Sequence, residues 1–167
     1  MSDEITGYVA QIAEALLARQ LMLVVAESCT GGGVAHALTS LAGSSAWFER
    51  GFVTYSNRSK EQMLGVSGDL IARHGAVSLP VVEAMARGAL AHSEGQVSLA
   101  ISGIAGPGGG SEDKPVGTVC FSFALNNINC SSELVVFEGD RDLIRERAIA
   151  YGLQGVLRLF STDTTTS

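Results

Sequence analysis

Charge is scarce in this chain, and basic charge scarcest. Charged residues make up 17% of its 167 residues, with 11 Lys and Arg against 17 Asp and Glu. The net charge of −6 argues against a broad basic face for duplex nucleic acid. Cysteine is also rare: Cys29, Cys120 and Cys130, an odd count at scattered spacing, are not a disulfide framework. No CxxC or HxxxH pair is present, so no metal is expected. Long apolar runs are missing. The longest, residues 21–26, falls far short of the roughly 20 residues of a membrane span. Asp3 and Glu4 stand where a secretion signal would carry basic charge, which predicts a reduced, cytoplasmic protein. Disorder is excluded in turn, because 46% of the residues are apolar. A chain of this size buries roughly 69% of its unfolded surface, enough for a core without staples.

What is abundant is glycine, 20 residues, and it clusters. Between the clusters, apolar periodicity predicts helices over 5–19, 33–41, 59–64, 68–74 and 140–160. A further helix is opened by Pro80, a residue favoured in a first helical turn. Short β-rich runs predict strands over 21–26, 52–55, 97–102, 116–125 and 131–137. Residues 126–129 form the turn between the last two. Early alternation of strand and helix with a late hairpin indicates a three-layer α/β/α sandwich on a mixed sheet. Residues 1–160 are expected to form one domain, and residues 161–167 a polar, frayed tail.

Four segments could carry chemistry. In Glu27-Ser28-Cys29-Thr30-Gly31-Gly32-Gly33 a strand ends in a small nucleophile, followed by glycines and a helix. Its unpaired N–H groups suit an anion or an oxyanion. Equally, it is a glycine-rich turn with Thr30 as N-cap. Tyr55, Asn57 and Lys60 follow a strand end, where Lys60 serves as a base only if its pKa is lowered; otherwise it is a solvated helix start. Ser102 and Gly103 to Gly110 fit neither nucleotide-binding glycine motif, yet could wrap a phosphate with backbone N–H groups or form a mobile loop. Arg141, Arg145 and Arg147 offer a cation for a phosphate, or ordinary surface charge. His36, His74 and His92 are isolated, although a Ser-His-Asp triad can assemble in space. Cys29 is a second candidate nucleophile.

Taken in order, Ala26-Glu27-Ser28-Cys29-Thr30-Gly31-Gly32, Tyr55-Ser56-Asn57 with Lys60, Gly75-Ala76-Val77-Ser78, Gly103-Ile104-Ala105-Gly106-Pro107-Gly108-Gly109 and Lys114-Pro115-Val116-Gly117-Thr118-Val119 resemble the CinA C-terminal domain family. Ser102 stands where that family often has Thr. The resemblance implies hydrolysis of nicotinamide mononucleotide to nicotinic acid mononucleotide and ammonia, with no cofactor. It implies Ser28 as nucleophile and Lys60 and Tyr55 as acid–base partners. Backbone groups of Thr30, Gly31 and Gly32 would face the oxyanion. Asn57, Ser102, Gly103, Gly106 and Gly108 would hold the nucleotide, and Arg145 its phosphate. The competing reading is a non-catalytic adaptor or nucleotide sensor, linked to competence and DNA damage. Trp47, Phe48 and Phe52 suggest packing on a second copy, hence a homodimer or larger homo-oligomer.

Overall fold

Strand β1 (Leu23–Glu27) is buried at every residue, so it needs cover on both faces. Side chains alternate along a strand, and here Leu23 and Val25 enter one apolar cluster while Val24 and Ala26 enter another. The first cluster is closed by α1 (Asp3–Arg19), α2 (Gly33–Thr39) and α6 (Arg141–Ser161). The second is closed by α3 (Asn57–Leu64), α4 (Gly68–His74) and α5 (Leu79–Ala91). Between them lies one sheet that also contains β2 (Phe48–Val53), β3 (Val97–Gly103), β4 (Thr118–Leu125) and β5 (Asn129–Val136), in the order β2-β1-β3-β4-β5. The arrangement comes from a computed structural model, which describes residues 1–161.

β1 runs parallel to both neighbours, β2 and β3, whereas β4 runs antiparallel to both of its own, β3 and β5. The sheet is therefore mixed and the architecture three-layered, as the sequence predicts. Chain direction also sets where ligands go. From β1 the chain crosses through α2 on one face to β2. It returns through α3, α4 and α5 on the other face to β3, on β1's opposite side. Such a reversal opens a crevice at the carboxyl ends of the strands.

Several boundaries differ from expectation. The strand expected at 52–55 begins at Phe48, because Leu23 already pairs with Phe48. Its middle residues, Glu49, Arg50 and Gly51, hide the pattern because β2 is an edge strand. Helix α3 begins at Asn57 rather than 59, since Ser56 is its N-cap and accepts from the Ser59 N–H. Trp47 is fully buried in the core and is therefore not available to a second copy. Ser161 belongs to α6 rather than to a tail; the remainder of the expected tail lies outside the described residues.

The close approach of α3 to α5 depends on Gly88. A Cβ there would sit 2.1 Å from the Leu64 carbonyl oxygen, a distance only a backbone shift can relieve. Gly88→Ala is expected to destabilise the fold by about 2 kcal/mol, measured by urea unfolding. A stability within error of wild type would show that α3 has room to move.

Candidate active site

The alternation that splits the core also splits the β1–α2 turn. Glu27 falls on the α2 side and Ser28 on the α3 side. Glu27 is buried, and its carboxylate accepts from the Thr30 hydroxyl at 2.6 Å, the Val34 N–H at 2.8 Å and the Ala35 N–H at 3.0 Å. It thus caps α2. The expectation of Thr30 as N-cap is not met. The N-cap is Gly32, at φ 94°, with no side-chain bond of its own, and Glu27 supplies the missing acceptor from the preceding strand. For the same reason, the N-terminal N–H groups of α2 are not open to a ligand.

Ser28 extends the β1–β3 ladder through its N–H to the Ile101 carbonyl. Its Oγ lies 3.1 Å from Lys60 Nζ, so the two residues singled out in separate segments meet. Lys60 sits in the first turn of α3, only 1% exposed. Its amine donates to the Thr54 carbonyl at 2.8 Å and stands 3.5 Å from the Tyr55 carbonyl. Among the described residues no carboxylate forms a salt bridge with it. Burial pushes the Lys60 pKa below the ordinary lysine value, with Cys29 acting in the opposite sense. A helix N-terminus is also the end least favourable to a cation. An uncharged amine has two hydrogens and one lone pair, which fits two carbonyls and one hydroxyl.

Cys29 also lines the cavity beside Ser28. It is buried within the α2–α6 cluster, and that burial pushes its thiol up to about 11. It is therefore a poor thiolate at neutral pH. None of the three histidines bonds to Ser28 among the described residues, so no triad forms there.

A cavity of about 270 Å³ opens beside Ser28 at the carboxyl ends of β1 and β3. Tyr55, Asn57, Lys60, Ser102, Gly103, Gly106 and Gly108 all line it. Thr30, Gly31 and Gly32 do not: they lie behind Ser28, where Thr30 is fully buried. The Tyr55 ring is 62% exposed, and its hydroxyl accepts from Arg141 at 3.2 Å. Only its carbonyl reaches Lys60. Ser102 donates to the Ala76 carbonyl at 2.8 Å and so ties the α4–α5 loop to β3.

Arg145 does not reach the cavity. Its Nε donates to the Cys29 carbonyl at 3.1 Å and its Nη2 to the Thr30 carbonyl at 3.2 Å. It borders a separate hollow with His36 and Asp142. The guanidinium in the cavity is that of Arg141, one helical turn earlier, which also donates to the Gly106 carbonyl at 2.7 Å. Sequence spacing places both arginines on one side of α6 without saying which one the crevice meets. Ala76, Val77, Ile104 and Ala105 add an apolar wall; Ile104 and Ala105 belong to the loop already singled out, whereas Ala76 and Val77 stood out only within the Gly75-Ala76-Val77-Ser78 motif, with no role assigned.

Comparison with known proteins gives a consistent result. The family model described as the CinA C-terminal domain matches residues 6–160. The chain is 54% identical over 154 residues to nicotinamide-nucleotide amidohydrolase PncC of Escherichia coli strain K12, covering 92% of this chain and 93% of that one. It is 47% identical over 157 residues to the Pseudomonas putida protein of the same name, covering 94% and 98%. Among solved structures, the competence/damage inducible protein CihA from Agrobacterium tumefaciens superposes with a TM-score of 0.92 at 40% identity, over 95% of this chain and 97% of that one.

Proposed function

The chain belongs to the CinA C-terminal domain family, and from that premise we propose that it hydrolyses the carboxamide of nicotinamide mononucleotide to nicotinic acid mononucleotide and ammonia. It is an amidohydrolase, like the relatives that carry that name. The observation that carries the reaction to particular residues is the buried Lys60 amine 3.1 Å from Ser28 Oγ at the cavity wall. A binding or adaptor module has no use for a desolvated lysine aimed at a serine hydroxyl, so the non-catalytic reading is set aside.

Ser28 Oγ attacks the carboxamide carbon while its proton passes to Lys60 Nζ. The carbonyl oxygen becomes an oxyanion. Cys29, which lines the cavity next to Ser28, offers the main-chain N–H nearest to it along the chain. Lys60 returns the proton to the departing nitrogen; the C–N bond breaks, ammonia leaves, and the acyl group stays behind as an ester on Ser28 Oγ. Water attacks the ester and again gives its proton to Lys60. The carboxylic acid product is released as Ser28 recovers its hydrogen. The Thr54 and Tyr55 carbonyls hold the amine in line throughout. The Tyr55 phenol works at the mouth of the cavity beside Arg141 rather than on Ser28. Arg141 replaces Arg145 as the phosphate partner. Ala76, Val77 and Ile104 receive the ring.

A single domain over residues 1–160 and a cytoplasmic location belong to the same reading. Assembly into a homodimer or larger oligomer does as well, now resting on Phe48 and Phe52 of edge strand β2. Ammonia release from nicotinamide mononucleotide tests the function: wild type is expected to release one ammonia per product acid, and release no faster than the enzyme-free blank would overturn it.

A further inference from the structure

We infer that Lys114 is a positioning residue for substrate binding, a strap that holds together the two loops whose side chains receive the nicotinamide ring; this rests on the cavity taking nicotinamide mononucleotide. The Lys114-Pro115-Val116-Gly117-Thr118 segment has no part in the chemistry at Ser28, yet it carries one of only two lysines in the chain. The connection from β3 to β4 folds back on itself. The Ile104 N–H donates to the Thr118 carbonyl at 2.9 Å, and the Gly117 N–H to the Ile104 carbonyl at 2.8 Å. At the far end the Ser111 N–H donates to the Lys114 carbonyl at 2.8 Å, and the Lys114 N–H to Ser111 Oγ at 3.1 Å. The outgoing limb gives Ile104, Ala105, Gly106 and Gly108 to the cavity, and the returning limb carries Lys114. The limbs lie too close to move independently. A Cβ at Gly106 would sit 2.5 Å from Val116 Cγ1, and one at Gly110 2.8 Å from the Val116 nitrogen.

Lys114 itself does not line the cavity. Its Nζ donates instead to the carbonyl of His74, the last residue of α4, at 3.0 Å. A carbonyl in that last turn has no helical partner, and a cation is favoured at that end of a helix. Three residues on, the chain has passed Gly75 and placed Ala76 and Val77 in the cavity wall. The same turn is tied to β3 by Ser102, which donates to the Ala76 carbonyl at 2.8 Å. Ser102 thus fastens the turn to the end of β3, and Lys114 fastens it to the returning limb. Among the described residues no other hydrogen bond joins the β3–β4 connection to the α4–α5 turn. The glycines of the outgoing limb give it little stiffness of its own. Without the strap, the substrate must order that limb as it binds. Ser28 follows β1 and Lys60 lies on α3, so the proton transfer between them does not depend on the strap.

The test is steady-state kinetics on Lys114→Met and Lys114→Arg, with thermal melts to confirm folding and amide hydrogen exchange measured without substrate. Lys114→Met is expected to raise KM for nicotinamide mononucleotide about tenfold, the scale of one charge-assisted hydrogen bond, with kcat within about threefold of wild type. Lys114→Arg keeps a cationic donor on a long stem and is expected to bring KM back to within about threefold of wild type. The Ile104 and Gly117 amides are expected to exchange several-fold faster in Lys114→Met than in wild type. A KM for Lys114→Met within about twofold of wild type overturns the inference. So does a raised KM that arginine does not lower, or a fall in kcat of about tenfold at unchanged KM, which would put Lys114 in the chemistry. If wild type itself releases no ammonia, the functional reading fails separately and exchange alone decides. Faster exchange at Ile104 and Gly117 in Lys114→Met then supports the strap, and unchanged rates overturn it.

Discussion

Ser28→Ala is expected to lower kcat for ammonia release by at least about 10⁴-fold, by analogy with the loss when a serine hydrolase loses its nucleophile. The hydroxyl removed is nearly buried, and its known partner, Lys60 Nζ, keeps the Thr54 and Tyr55 carbonyls. The melting temperature should therefore change by no more than a few degrees, which separates lost chemistry from lost structure. The neighbouring Cys29 is not expected to take over, because burial pushes its thiol up to about 11. The measurement is kcat and KM with nicotinamide mononucleotide on a folded variant. Residual activity close to wild type would remove Ser28 from the mechanism and return Cys29 to consideration.

Lys60→Met is expected to be nearly as damaging, by about 10³-fold in kcat, and to carry a signature in pH. Burial lowers the folded-state pKa of Lys60 below its ordinary 10.5. Between the lowered value and 10.5 the unfolded chain therefore binds more protons than the folded one. The Lys60 contribution to stability then rises with pH across that window and levels off above it, read as the difference between wild type and Lys60→Met. Activity should rise on the same limb, because only the uncharged amine accepts the Ser28 proton. Lys60→Met has no such proton to lose, so its stability lacks this rise and keeps only the fall above about pH 9 that the raised Cys29 and Cys120 thiols give both proteins. Urea unfolding and kcat/KM, each measured from pH 6 to about 10, check both limbs. A stability difference between wild type and Lys60→Met that does not change with pH, together with a flat wild-type kcat/KM, would show that Lys60 does not titrate there.

Much of this was legible in the sequence, because local patterns and local structure agree. The apolar spacing of α1 and α5 and the buried runs of β1 and β3 gave the sheet and its two helical layers. The Ser28 and Lys60 segments each end a strand, which is why both arrive at one edge. What remained hidden depends on the side of the sheet. The edge position of β2 let Glu49 and Arg50 break its alternation. Glu27 reads as one more strand residue, yet alternation sends it to cap α2 while its neighbour faces α3. Arg141 and Arg145 are one turn apart, and only the packing of α6 decides that the first meets the cavity and the second the back of the turn. The two carbonyls that hold Lys60 are main-chain atoms of Thr54 and Tyr55, and no residue type announces them.

The most direct measurement is an NMR titration of the lysine side chains labelled at Cε, with the Lys60 signal assigned by its absence in Lys60→Met. The expected result is a midpoint clearly below the ordinary lysine value of 10.5, coinciding with the rise in kcat/KM. A midpoint at or above 10.5, leaving the amine charged wherever the enzyme is active, would contradict Lys60 as the base that draws the proton from Ser28.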